Sequence, residues 1–128
     1  MNYSAFFLVS LFLVLQSSFV SAQPQNIKNN AFWNTVDGQP IYSQGGGVFR
    51  FTDPQSGAEL YYWYGVNYKE AALYRNDPSV TQPRDHFESV TCYTSTDLVN
   101  WKSQGDVLTR EELDRNYSRT GWVGRLGV

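Results

Sequence analysis

Four consecutive aromatic residues, Tyr61 to Tyr64, constrain the fold of this chain more than any other stretch. Successive side chains of a β-strand point to opposite faces, so Tyr61 and Trp63 lie on one face and Tyr62 and Tyr64 on the other. A strand that is aromatic on both sides has to be covered on both sides. The run therefore predicts either a sheet sandwiched between other layers or a propeller blade packed between neighbouring blades.

The composition of the chain favours an all-β protein. Of its 128 residues, 16% are aromatic and 17% are charged, and Gly, Asn and Thr replace the usual helix-forming blocks. The formal net charge is -2, and the lysines and arginines form no basic stripe. The sequence therefore offers no electrostatic basis for binding nucleic acid.

The N-terminus is predicted to be a signal peptide that comprises residues 1–22. An apolar run from Ala5 to Val20 is followed by the small residues Ser21 and Ala22, after which we expect cleavage. Gln16-Ser17-Ser18 interrupts the run too early for a convincing membrane span, although an uncleaved anchor is the alternative. The predicted mature protein, residues 23–128, is secreted and has no membrane partner.

A lead-in strand is predicted to begin at Ile41-Tyr42, and the four strands of one antiparallel unit are predicted to follow. Val48–Phe51 and Leu60–Gly65 form an antiparallel hairpin across the turn residues Asp53–Gly57. Phe87–Tyr93 alternates and predicts a third strand, with Phe87 and Tyr93 on the same face. Lys102–Leu108 predicts a fourth, outer strand. The chain then reaches a further strand that begins near Trp122.

The segments between these strands also carry predictions. Residues 67–86 have no clear period and predict a long loop, which is a usual place for binding residues. Ser95 to Trp101 breaks the alternation and predicts a tight turn that returns Leu98 and Trp101 to the sheet. Glu111 to Asp114 predicts a short helical turn that is capped by Thr109.

Three successive glycines, Gly45 to Gly47, precede the first strand. They lack the Lys-Ser/Thr ending and the helix of a phosphate-binding loop. We instead expect a backbone that passes very close to a neighbouring strand or to a ligand.

Cys92 is the single cysteine and His86 the single histidine, so no disulfide can form within the chain. Cys92 is predicted to be a small core residue rather than a catalytic thiol or a zinc ligand. We expect neither a metal site nor a cofactor.

Three segments in order resemble glycoside hydrolase family 43, and most closely its galactan β-1,3-galactosidase-like branch. They are Gln44–Val48, Tyr61–Gly65 and Val90–Trp101, and the likeness extends over about Trp33 to Val128. Gly124–Val128 is similar to the opening of the family's second blade. The resemblance implies an incomplete five-bladed β-propeller, with about one to two blades present in residues 23–128.

The resemblance also implies a function. Family members hydrolyse glycosidic bonds from a chain end with inversion, using two carboxyl groups about 6.5–9.5 Å apart. The expected protein is the N-terminal part of a secreted glycoside hydrolase that cleaves β-galactosides, β-1,3-galactan-like chains or related plant polysaccharides. Its partner is a polysaccharide or oligosaccharide substrate.

The catalytic residues cannot be assigned from these positions. The proton donor and the aspartate that tunes it lie in later blades, outside this sequence. Most of the family carries the aspartate that acts as catalytic base at the position of Tyr42–Gly45, and this stretch has no carboxylate. The galactan-type branch is known to depart from the usual base at this position. Val66 stands where galactan-cleaving relatives tend to have a glutamate. A non-catalytic carbohydrate-binding relative is therefore the alternative function.

Four residues are the candidate sugar contacts. Amides and arginine hydrogen-bond to hydroxyl groups, and an aromatic ring stacks on a sugar face. The alternative is that each is a core or edge residue of a blade. The four are Gln44, Tyr64, Asn67 and Arg125.

Overall fold

The computed structural model describes residues 26–117, 123, 124 and 126. The predicted signal peptide and most of the predicted strand after Trp122 lie outside the described residues.

One four-stranded antiparallel sheet forms the body of the protein, with the strands in sequence order. The strands are β1 (Gln44–Thr52), β2 (Glu59–Tyr68), β3 (Phe87–Ser95) and β4 (Lys102–Thr109), and the helices are α1 (Ala71–Asn76) and α2 (Arg110–Tyr117). This confirms the four predicted strands and the predominantly β architecture. The strand predicted to begin at Ile41-Tyr42 is wrong, because both residues precede β1 and, within the described residues, the lead-in pairs only through an isolated bridge between Asn34 and Pro40. No helix of the described part of the chain is long and apolar enough to cross a membrane.

The first face of the sheet is covered by aromatic side chains around Trp63. Its ring lies 5.8 Å from that of Trp33, 6.0 Å from that of Tyr93 and 5.2 Å from that of Trp101. Trp101 is only 2% exposed. On this face the aromatic strand is partly covered, because the lead-in to β1 and the turn after β3 pack against Tyr61 and Trp63, which are both partly buried.

The second face carries four rings from β1 and β2 that pack side by side. Phe49 and Phe51 stack with their centroids 6.1 Å apart, and Tyr62 and Tyr64 stack at 6.4 Å. We call these four residues the aromatic ladder. Each ring is shielded chiefly by its neighbours, and Phe51 remains 43% exposed. The expected full cover on this side is therefore not seen among the described residues.

The other half of the second face is the hydrophobic core. Its buried members come from the end of β2 and from β3, and parts of β4, α2 and the C-terminal residues pack against them. The buried members are Val66, Tyr68, Phe87 and Val90. Phe87 joins them, instead of sharing the face of Tyr93 as the alternation predicts, because the pairing register shifts at Asn67 and Tyr68.

The turn from Ser95 to Trp101 has the predicted chemistry. The Ser95 hydroxyl accepts hydrogen bonds from the backbone N–H groups of Asp97 and Leu98, at 3.1 and 3.0 Å. The Asp97 carboxylate accepts from those of Val99 and Asn100, at 2.9 and 2.7 Å. These bonds lower the pKa of Asp97 to about 2. Asp97 therefore forms the turn, as its sequence context predicts.

The predicted loop of residues 67–86 needs correction. β2 continues to Tyr68, and α1 forms within the segment. A helix of six residues spans less than two turns, so its apolar side chains establish no recognisable period. Cys92 is buried, as predicted.

Candidate functional site

A cleft of about 680 Å³ opens where β1 begins and β2 ends. Tyr42, Ser43 and Gln44 line it, together with Val66 and Tyr68 from the end of β2. Much of the remaining wall comes from residues 70–85, which include α1. The segment predicted to carry binding residues is thus the one that shapes the cleft.

A carboxylate and a histidine join the two ends of this wall. Glu70 accepts a hydrogen bond from the backbone N–H of His86 at 2.9 Å, and its other oxygen lies 2.5 Å from His86 Nδ1. The backbone N–H of Lys69 donates to the His86 carbonyl at 3.0 Å. We call the pair of side chains the Glu70–His86 clasp. The hydrogen bonds from His86 lower the pKa of Glu70, whose side chain is 17% exposed.

Aromatic rings and a guanidinium group form the outer part of the wall. Phe32 meets Tyr74 edge to face, with centroids 6.0 Å apart, and the Arg75 guanidinium lies 5.2 Å from the centre of the Phe32 ring. Arg75 also donates to the Trp33 carbonyl at 3.0 Å and to Asn34 Oδ1 at 2.5 Å. These contacts orient α1 against the lead-in and leave Tyr74 51% exposed.

Ser43 is packed tightly against the sheet at the inner side of the cleft. A Cβ at Gly65 would lie 2.8 Å from the Ser43 Cα, so only glycine fits at residue 65 without displacing the backbone. The Ser43 hydroxyl oxygen is buried and has no hydrogen-bond partner among the described residues. The adjacent Tyr42 carbonyl accepts a hydrogen bond from Thr91 Oγ1 at 2.8 Å, which fixes this stretch of backbone.

The predicted sugar contacts are distributed over different parts of the sheet. Gln44 lines the cleft, opposite Val66 in the strand pairing. Asn67 lines a smaller depression of about 380 Å³, which shares Tyr42 and Tyr68 with the cleft. Tyr64 belongs to the aromatic ladder on the second face. Arg125 lies outside the described residues.

Sequence reasoning did not single out several of the residues that line the cleft. Glu70, Arg75 and Asp85 all lie in the segment that the sequence treats as one long loop. The sequence pointed to these residues only through their position in that predicted loop. No motif connects them, and only the fold brings them beside Gln44. Among the described residues, no group of three or more His, Cys, Asp or Glu side chains is arranged to hold a metal ion.

The cleft combines apolar ring faces with hydrogen-bond acceptors. Exposed rings offer apolar faces, whereas Gln44, Glu70 and Asp85 offer hydrogen-bond acceptors at its polar surfaces. Comparison with protein-family models, with curated proteins and with solved structures finds no significant match to this chain.

Proposed function

We propose that this chain is the N-terminal part of a secreted glycoside hydrolase. Its substrates are β-galactosides, β-1,3-galactan-like chains or related plant polysaccharides, which are cleaved with inversion. In this proposal the sheet is one blade of a five-bladed propeller. The order of the three family-like segments supports it, as does their occupation of one four-stranded antiparallel sheet and the turn beside it.

The observation that carries the proposal is the content of the cleft. Tyr74 and Phe32 present exposed rings, and Gln44 lies in the same cleft as two carboxylates, those of Glu70 and Asp85. Sugar sites commonly combine a ring that stacks on the sugar with acceptors for its hydroxyl groups. Of the four contacts predicted from the sequence, Gln44 fits this role most directly.

Glu70 is suited to act as an acceptor and not as the proton donor. His86 lowers its pKa, so the carboxylate is ionised at neutral pH, whereas an inverting proton donor has to be protonated. In the proposed enzyme the donor comes from another blade, as the resemblance implies.

Hydrolysis assays on defined substrates test the enzyme proposal. The full reading frame is expressed and assayed on β-linked galactosides and arabinosides, and product anomers are followed by proton NMR. We expect release of terminal sugar with an inverted anomeric configuration. Absence of turnover on every substrate contradicts the enzyme proposal.

A non-catalytic carbohydrate-binding protein is the second candidate. The observation in its favour is that Gln44 and Val66 occupy positions where carboxylates are found in catalytic relatives of the resembled family. Binding on a glycan array without turnover favours this candidate, and turnover eliminates it.

A further inference from the structure

We propose that the cleft binds uncharged sugars in preference to acidic sugars, and that Glu70, held by His86, sets this preference. The inference rests on the proposed carbohydrate function and specifies the ligand class of the same site. It concerns discrimination against uronic acids, which carry a carboxylate that their neutral counterparts lack.

The charges that line the cleft are predominantly negative. Glu70 and Asp85 contribute carboxylates, and Arg75 is the one cation in the described lining. The Arg75 guanidinium is already bound to the Trp33 carbonyl, to Asn34 Oδ1 and to the face of the Phe32 ring. Pairing it with a uronate would therefore compete with the contacts that orient α1.

Glu70 is the carboxylate whose charge acts most strongly on a bound ligand. Its side chain is largely shielded from solvent, whereas Asp85 is exposed. Water screens an exposed charge well, but a like charge beside a partly buried carboxylate is repelled more strongly. The acidic sugar also has to give up part of its own hydration to enter the cleft.

The clasp prevents Glu70 from turning away from an acidic ligand. One oxygen of Glu70 lies against the His86 ring and the other accepts from the His86 backbone N–H. An unrestrained glutamate could rotate into solvent at little cost. The restrained carboxylate instead keeps its charge at the wall of the cleft as long as the His86 ring is neutral, since a protonated ring would offset that charge.

Isothermal titration calorimetry with two matched disaccharides tests the inference. One ligand is a neutral, thio-linked β-digalactoside, which a glycosidase does not hydrolyse, and the other is the same compound with galacturonic acid in place of the terminal galactose. The wild-type protein is expressed from the full reading frame and titrated at about pH 8.5, where an imidazole is ordinarily neutral. We expect the dissociation constant of the neutral ligand to be lower by at least about five-fold at low salt. We expect Glu70→Gln, which removes the charge at nearly constant volume, to reduce this ratio to below about two-fold.

The matched control is Glu111→Gln, which removes an exposed charge on α2 outside the cleft. It should leave the ratio of dissociation constants unchanged. Repeating the titrations at about 0.5 M salt adds a second measurement. Screening should bring the wild-type ratio of the two dissociation constants closer to one and leave the ratio of Glu70→Gln nearly constant.

The outcomes separate this inference from the function on which it rests. Binding of neither ligand by the wild type overturns both. Equal binding of the two ligands overturns the selectivity alone and leaves sugar binding intact. A preference for the neutral ligand that persists in Glu70→Gln overturns the role of Glu70.

Discussion

Gly46 of β1 is packed directly on the backbone of Tyr64 in β2. A Cβ at residue 46 would overlap the Tyr64 carbonyl oxygen and would lie 2.6 Å from the carbonyl carbon. The glycine run of the sequence predicts a close approach to a neighbouring strand or to a ligand, and the neighbour is this strand. The two strands come together where β1 has its register shift, between Gln44 and Gly47.

Replacing Gly46 by alanine should therefore destabilise the sheet. The added methyl group meets backbone atoms, which cannot rotate away, so we expect a loss of about 2–4 kcal/mol in the free energy of unfolding. Gly47→Ala is the matched control, because the three atoms nearest to its Cβ all belong to the Phe49 ring, a side chain that can shift more readily than backbone. Urea unfolding followed by fluorescence measures both. Equal losses in the two variants would contradict the role assigned to the backbone contact.

Two neighbouring residues of β2 should respond very differently to truncation. Trp63 contacts three aromatic rings in the covered cluster, whereas Tyr62 belongs to the open aromatic ladder. We expect Trp63→Ala to lower the free energy of unfolding by about 2–4 kcal/mol and Tyr62→Ala by about 1 kcal/mol. Thermal and urea unfolding provide the comparison. A larger loss for Tyr62→Ala would mean that the ladder, and not the Trp63 cluster, stabilises the sheet.

The sequence predicts the strands well because the signals for them are local. Turn residues such as Asp53 and Gly57 mark the ends of strands, and alternation marks the strand that contains Cys92. The site could not be predicted in the same way. Glu70 meets His86, and both Glu70 and Gln44 border one cleft, through contacts between segments that are distant in sequence. α1 was missed because six residues are too few to establish a helical period.

The turn that Asp97 forms should make the free energy of unfolding depend on pH. Its pKa is about 2, below the ordinary value of 3.8, so the turn stabilises the fold above pH 4 and loses this contribution as the pH falls towards 2. Because the carboxylate is exposed and screened, we expect a contribution of about 1 kcal/mol. The measurement is the difference in free energy of unfolding between wild type and Asp97→Ala at pH 7 and at pH 2.

That difference should be largest at pH 7 and should shrink at pH 2. Asp37→Ala serves as the control, since Asp37 is another exposed aspartate that lies in a turn. A pH-independent difference for Asp97→Ala would indicate that the ionised carboxylate does not stabilise the turn.

Thr109 and Glu112 form a reciprocal cap at the start of α2. The Glu112 backbone N–H donates to Thr109 Oγ1 at 3.3 Å, and the Thr109 backbone N–H donates to the Glu112 carboxylate at 2.8 Å. Thr109→Ala should cost about 1 kcal/mol and reduce the helicity of residues 110–117, whereas Thr109→Ser should retain most of the cap. Backbone chemical shifts report the helicity, and equal shifts in the two variants would exclude a capping role for the hydroxyl.

The aromatic ladder should make the protein bind hydrophobic dyes and self-associate. The rings of Phe49 and Phe51 lie on β1, an edge strand of the sheet, and Phe51 is 43% exposed. Exposed apolar surface beside an unpaired strand edge favours association. We expect Phe49→Thr combined with Phe51→Thr to lower anilinonaphthalene sulfonate fluorescence and to shift sedimentation towards the monomer. Threonine suits a strand, so the backbone is retained.

Val107→Thr on the exposed edge strand β4 is the control, because it removes apolar surface without touching the ladder. If Val107→Thr has an equal effect, association depends on general apolar exposure and not on the four stacked rings.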